Sequence, residues 1–161
     1  MTDPVRHRLL LLGEPVLLLD RSPVAAPIHR KQWALMAFLH LEGERSHARE
    51  NLAAMFWPGL DAAAARNNLR QTLHQLRHLL GADGPIAGCE AVRLRPESIA
   101  SDAADFLAAA DVEDIEAMER AARLWRGEFL AGLEIGEAPE FEAWRAARRN
   151  WSLGTRRRSG R

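Results

Sequence analysis

The stretch ARNNLRQTLHQLRHLLG, from Ala65 to Gly81, sets arginine, asparagine, glutamine and histidine between leucines and contains no carboxylate. Such side chains bond nucleic acid. Arginine makes two hydrogen bonds to guanine, asparagine and glutamine make two to adenine, and cations neutralise phosphates. At 100° per residue, Leu69, Leu73, Leu76 and Leu80 fall within about 60° of one another and form a buried stripe. Asn67, Gln71, His74 and His78 lie opposite the stripe. Arg70 and Arg77 flank it on one side, long enough to reach outward past the helix. A carboxylate on this face would repel a phosphate backbone, and none occurs between Ala62 and Ala82.

Other chemistry finds little support in the sequence. His74 and His78 have the i, i+4 spacing of metal ligands, but no third or fourth ligand lies nearby, so no metal is expected. Cys89 stands alone, without a basic or histidine neighbour in sequence to lower its pKa. No glycine-rich phosphate loop, metal motif or nucleophile elbow occurs, so neither an enzyme nor a cofactor is expected. Trp33, Trp57, Trp125 and Trp144 are expected to pack in a core or interface rather than to stack on bases.

The chain has 161 residues, 47% apolar and 27% charged, enough for one medium domain or two small ones with a buried core. No run of about 18 apolar residues could span a membrane. The early LLLLGEPVLLLD is interrupted by Gly13, Glu14 and Pro15 and lacks a following cleavage site, so it is not expected to be a signal peptide. A single cysteine forms no internal disulfide and suits a reducing cytoplasm. Net charge is zero but unevenly distributed. Residues 1–101 hold 12 basic and 10 acidic side chains, residues 102–142 hold 3 and 12, and residues 143–161 hold 7 and 0. The break near residue 100 marks a candidate domain boundary.

The elements that must position the polar face follow from pattern. RLLLL and PVLLLD read as two strands. Trp33, Leu35, Met36, Leu39 and Leu41 give a helix over 29–41. RSHARENLAAMFWPG reads as a cap at Ser46 and a short helix burying Leu52, Met55 and Phe56, stopped by Pro58-Gly59. Asp61 caps a third helix running to about Leu80, and Gly81 sits where a C-terminal glycine cap belongs. A hairpin follows, with Val92 and Leu94 facing in and Arg93 and Arg95 facing out. Strands, three helices and a hairpin are the order of a winged helix. After Pro96 the pattern is helical. Phe106 and Leu107 are core candidates, Ile115, Met118, Ala122 and Trp125 line a second helix, and a helix over 138–151 carries Phe141 and Trp144. The reading is mainly α with a small β component (α+β). A winged helix with an N-terminal antiparallel sheet occupies 1–97, a short TPR-like helical segment 98–151, and a disordered basic tail 152–161.

The segment RKQWALMAFLHLEGERSHARENLAAMFWPGLDAAAARNNLRQTLHQLRHLLG resembles the DNA-binding half of the Streptomyces antibiotic regulatory protein family, an OmpR/PhoB-type winged helix. Leu124-Trp125-Arg126-Gly127 followed by Phe129-Leu130 resembles the start of the bacterial transcriptional activator domain that follows it in that family. The resemblance covers about residues 5–151. It implies a sequence-specific transcription regulator, usually an activator, that binds direct repeats in promoter DNA, contacts RNA polymerase and pairs with a second copy on DNA. It implies that Asn67, Arg70, Gln71 and His74 face bases, that Asn68, Gln75 and Arg77 sit near phosphates, and that the wing arginines Arg93 and Arg95 add backbone or minor-groove contacts. The family's wing often carries a Gly-Tyr strand, whereas this chain has no tyrosine and only AVRLRP. Its helical domain is also longer than the segment here. The expectation is a shortened or stand-alone member, with Phe141 and Trp144 partly exposed. The alternative reading is a helical protein-interaction module, or an autoinhibited or truncated regulator that no longer activates transcription.

Overall fold

A computed structural model describes residues 5–88, 90–111 and 114–159. Cys89 and the last two residues of the basic tail lie outside them. In chain order the elements are β1 (His7–Leu10), β2 (Val16–Leu19), β3 (Ser22–Pro23), α1 (Arg30–Leu41), β4 (His47–Ala48), α2 (Arg49–Phe56), α3 (Ala62–Leu80), β5 (Ile86–Ala87), β6 (Ala91–Arg93), β7 (Ile99–Ser101), α4 (Asp102–Asp111), α5 (Ile115–Arg123) and α6 (Pro139–Ser159). A 3-10 turn, Gly81–Asp83, follows α3. The fold is α+β and mainly helical, with a winged helix-turn-helix inside it, as the pattern predicts.

Two compact units form, and they are not consecutive in sequence. One joins residues 1–24, 100–133 and 142–161, and the other joins 25–99 and 134–141. The sequence places the first strands with the winged helix and cuts once near residue 97. In the structure those strands instead share a unit with the helical segment.

In the winged-helix unit, α1 is buried almost all round, from Ala34 to His40. Against it lie Leu52 and Phe56 of α2 and the stripe Leu69, Leu73, Leu76 and Leu80 of α3, each at most 2% exposed. Asp61 caps α3 as expected, its carboxylate accepting from the Ala64 amide at 2.8 Å. Gly81 ends the helix at φ 60°, a left-handed conformation that glycine adopts without strain. The sheet has order β4-β6-β5, with His47 opposite Val92 and Ile86 opposite Arg93.

That sheet corrects the expected cap of α2. Residues 47 and 48 are held extended by pairing with β6, so the helix begins after Ala48 and not at Ser46. Its first free amide, that of Arg49, donates to the Glu90 carbonyl of the wing at 2.8 Å. The other end of α2 is closed by the chain's one lysine. The Lys31 ammonium donates to the Phe56 carbonyl and sits 5.0 Å from the centre of the Trp57 ring. This end is the negative pole of the helix, where a cation is favoured. Phe141 also differs from expectation. It is fully buried, its ring 5.3 Å from that of Phe56, whereas Trp144 is half-buried.

In the second unit the sheet order is β3-β2-β1-β7. Asp20 and Arg21, at φ 49° and 70°, make the tight turn between β2 and β3. Segment 126–130 zips onto the end of β1. Arg126 donates its amide to Leu12, Leu130 to Leu11, and Gly13 to Glu128. Gly13 has φ 129°, and a Cβ there would lie 3.1 Å from that of Arg126, so the close approach requires glycine. The Asp102 carboxylate, almost fully buried, accepts from the amides of Leu11, Leu12 and Ala103 at 2.7, 3.1 and 2.7 Å. Arg145, also buried, donates to the carbonyls of Leu130 and Leu133.

Two helical expectations change here. On α5 the buried residue is Ala121, whereas Ile115 is 72% exposed and Ala122 is exposed. Pairing with α4 turns the alanine side of the helix inward, because small side chains allow close packing. And α6 runs to Ser159, so residues 152–159 are helical rather than disordered. Arginine is a good helix former, and the single Gly154 costs only about 1 kcal/mol.

Candidate nucleic-acid interface

The outward side of α3 is built by exclusion. Its leucine stripe fixes the rotation of the helix, so every residue opposite the stripe must face solvent. Arg66, Asn67, Arg70, Gln71, His74, Gln75, Arg77 and His78 are all exposed, and Asn68 is half-buried. On the wing, Arg95 is exposed and Arg93 half-buried, while Val92 and Leu94 are buried at 0% and 1%. The alternation expected for this strand is therefore present.

These side chains are not equivalent. Arg70 Nη2 donates to Asn67 Oδ1 at 2.7 Å, which orients both at one turn and leaves the Asn67 amide nitrogen and the remaining guanidinium hydrogens free to turn outward. Around them a cleft of about 360 Å³ is lined by Arg49, Ala63, Arg66, Asn67, Leu69 and Arg70. Three arginines, Arg49, Arg66 and Arg70, make this hollow cationic. Glu50, from the same turn as Arg49, faces the neighbouring hollow together with Arg66.

Farther along, His74, Gln75 and His78 share a hollow of about 410 Å³ with His29 and Gln32 of the α1 start. Gln75 is not free there, since its Oε1 accepts from Gln32 Nε2 at 2.6 Å. Arg77 reaches back, its Nε donating to the Pro85 carbonyl at 3.3 Å ahead of β5. Arg77 thus ties α3 to the root of the wing. Asn67, Arg70, Gln71 and His74 form one outward row, Gln75 and Arg77 are held to neighbouring elements, and Arg93 and Arg95 belong to the wing strand and its continuation.

Two cations escaped the sequence reading. Arg66 lies on the same helical edge as Arg70 and Arg77, so spacing alone could have found it. Arg49 could not be found that way. It enters the cleft because β4 sets the start of α2, and its Nε is held by the Gly88 carbonyl of the wing at 2.9 Å. Behind the site, His47 packs at 4.9 Å from the Phe38 ring with Nε2 buried and without a hydrogen-bond partner. Burial holds its pKa below the usual histidine value, only partly offset by Glu42. Burial likewise lowers that of Lys31.

Among the described residues no group of three His, Cys, Asp or Glu side chains is placed to hold a metal ion. No helix among them is long and apolar enough to cross a membrane.

No family model and no curated protein matches the sequence. Among solved structures the chain is similar to Mycobacterium tuberculosis EmbR in complex with a low-affinity phosphopeptide, with a TM-score of 0.71 and 25% identity. The match covers 94% of this chain and 44% of that one, so the chain spans less than half the length of EmbR.

Proposed function

We propose that the chain is a sequence-specific DNA-binding regulator of transcription, and that α3 is the element that enters the major groove. The observation that carries this reading is the solvent side of α3, where a row of arginine, amide and histidine side chains opens at one end into the Arg49–Arg66–Arg70 cleft. A groove about 12 Å wide admits such a helix. In this reading Asn67, Arg70, Gln71 and His74 face base edges. Arg49 and Arg66 take a backbone phosphate, Asn68, Gln75 and Arg77 lie beside phosphates, and Arg93 and Arg95 carry the wing to the flanking groove. The likeness to EmbR supports the winged-helix regulator family to which the sequence resemblance points.

From that family come the finer parts of the proposal: activation rather than repression, direct repeats in promoter DNA, two copies on one site, contact with RNA polymerase, and action in the cytoplasm at the nucleoid. The net charge of residues 102–142, with 12 acidic against 3 basic side chains, favours a protein-contacting role for that segment alongside DNA binding. Selection of genomic fragments by the purified chain, followed by fluorescence anisotropy on the enriched sequence, tests the reading. Binding should weaken steeply with salt and exceed that of a scrambled duplex. Equal, salt-insensitive signals on both duplexes would falsify it.

A further inference from the structure

The side-chain amide of Gln32, only 7% exposed, has both of its ends committed. Its Oε1 accepts from the His29 backbone amide at 2.8 Å, and its Nε2 donates to Gln75 Oε1 at 2.6 Å. Chemistry fixes this orientation. A backbone N–H can only donate, so the atom it meets is the Gln32 oxygen, and the nitrogen is left for Gln75. Gln75, itself exposed, therefore turns its oxygen inward and keeps the two N–H groups of Nε2 for the outside. A free glutamine offers a donor and an acceptor together, the pair that matches adenine. Gln75 held in this way offers donors alone, which match the oxygens of a phosphate.

Its surroundings have the same character. Gln75 opens into the hollow of about 410 Å³ that it shares with His29, His74 and His78, whose lining holds three imidazoles and no carboxylate. At 3.6 residues per turn, Gln75 lies about 140–180° round α3 from Arg70 and Arg66. The row of Asn67, Gln71 and His74 runs between these two flanks. A helix about 10–12 Å across fills a groove about 12 Å wide, so its two flanks meet opposite walls.

We propose that this hollow is a second phosphate seat, formed by Gln75, His78 and His29. It takes the backbone of the strand opposite the one held at the Arg49–Arg66–Arg70 cleft. Gln32 is the positioning residue that keeps Gln75 a donor, without touching DNA itself. The start of α1 thereby joins the interface. This inference rests on the reading that α3 enters the major groove.

Methylphosphonate substitution, which removes the charge of one phosphate at a time, tests it on the duplex that the purified chain enriches. The full chain should lose about tenfold in affinity at one phosphate on each strand. Gln75→Leu and His78→Ala should each abolish the loss on one strand and keep that on the other, and Arg66→Ala should do the reverse. Gln32→Met should weaken binding several-fold while Gln75 is present and have no effect in a Gln75→Leu chain, whereas a packing defect would weaken both alike. Should Gln32→Met not fold, Gln32→Glu keeps an acceptor for the His29 amide but turns the Gln75 oxygen outward, and it too should act only while Gln75 is present. Specific, salt-dependent binding in which no phosphate depends on Gln75 or His78 overturns the second seat and leaves the α3 reading standing. An effect at Gln32 that persists without Gln75 overturns its positioning role. A chain that shows no specific DNA binding at all sinks both readings together.

Discussion

Arg70 and Arg66 sit one helical turn apart on α3 and are expected to fail differently when removed. Arg70 is oriented by Asn67 at 2.7 Å, an arrangement suited to a fixed base contact. Arg70→Ala should cost about 1–3 kcal/mol on the preferred operator and relax the preference at one base position. Arg66 lines the cationic cleft without such an orienting bond, so Arg66→Ala should weaken all duplexes alike and reduce the salt slope by about 1. Anisotropy titrations on operator and single-base variants at several salt concentrations separate the two outcomes. The outward row itself was legible, because four leucines at helical spacing fix which side faces water. Arg49 was not legible, because its place depends on where β4 stops.

The elements stand or fall by their ends. Asp61→Ala removes the carboxylate that accepts from the Ala64 amide and should cost about 0.5–2 kcal/mol, read as a lower denaturant midpoint. That cap is visible in sequence as an aspartate just ahead of an alanine-rich helix. The caps of α2 are not visible. One is a wing carbonyl and the other a lysine from α1, both brought there by packing. The strand that carries the wing makes stability depend on pH. The folded state holds the His47 pKa below that of the unfolded chain, so the unfolded chain takes up the proton first as pH falls. The contribution is full above about pH 6.5 and is lost progressively below it. His47→Phe keeps a ring beside Phe38 and should remove that slope from denaturant midpoints measured between neutral and mildly acidic pH.

At the scale of the molecule, Asp102 ties the start of α4 to the end of β1, residues some 90 positions apart. Asp102→Ala would leave three amide donors without their acceptor and should cost roughly 2–4 kcal/mol in chemical unfolding. Burial raises the Asp102 pKa above the usual carboxylate range, against the pull of the three amides and Arg126. The unfolded chain therefore gives up its proton first as pH rises. This group's contribution is largest in acid and declines as pH climbs from the ordinary carboxylate value to the raised one. The alanine variant should lack that decline. By itself the sequence determined that three helices and a hairpin follow the first strands and which face of α3 is polar, because a periodicity of 3.6 or 2 is a local property that any core must respect. It also placed the Asp61 and Gly81 caps, since each lies within a few residues of the groups it satisfies. Only the tertiary structure decided which unit the first strands join, that Arg49 completes the cationic cleft, and that Ile115 faces water while Phe141 does not. Those outcomes depend on contacts between residues far apart in the chain, and periodicity says which face is apolar but not what will cover it.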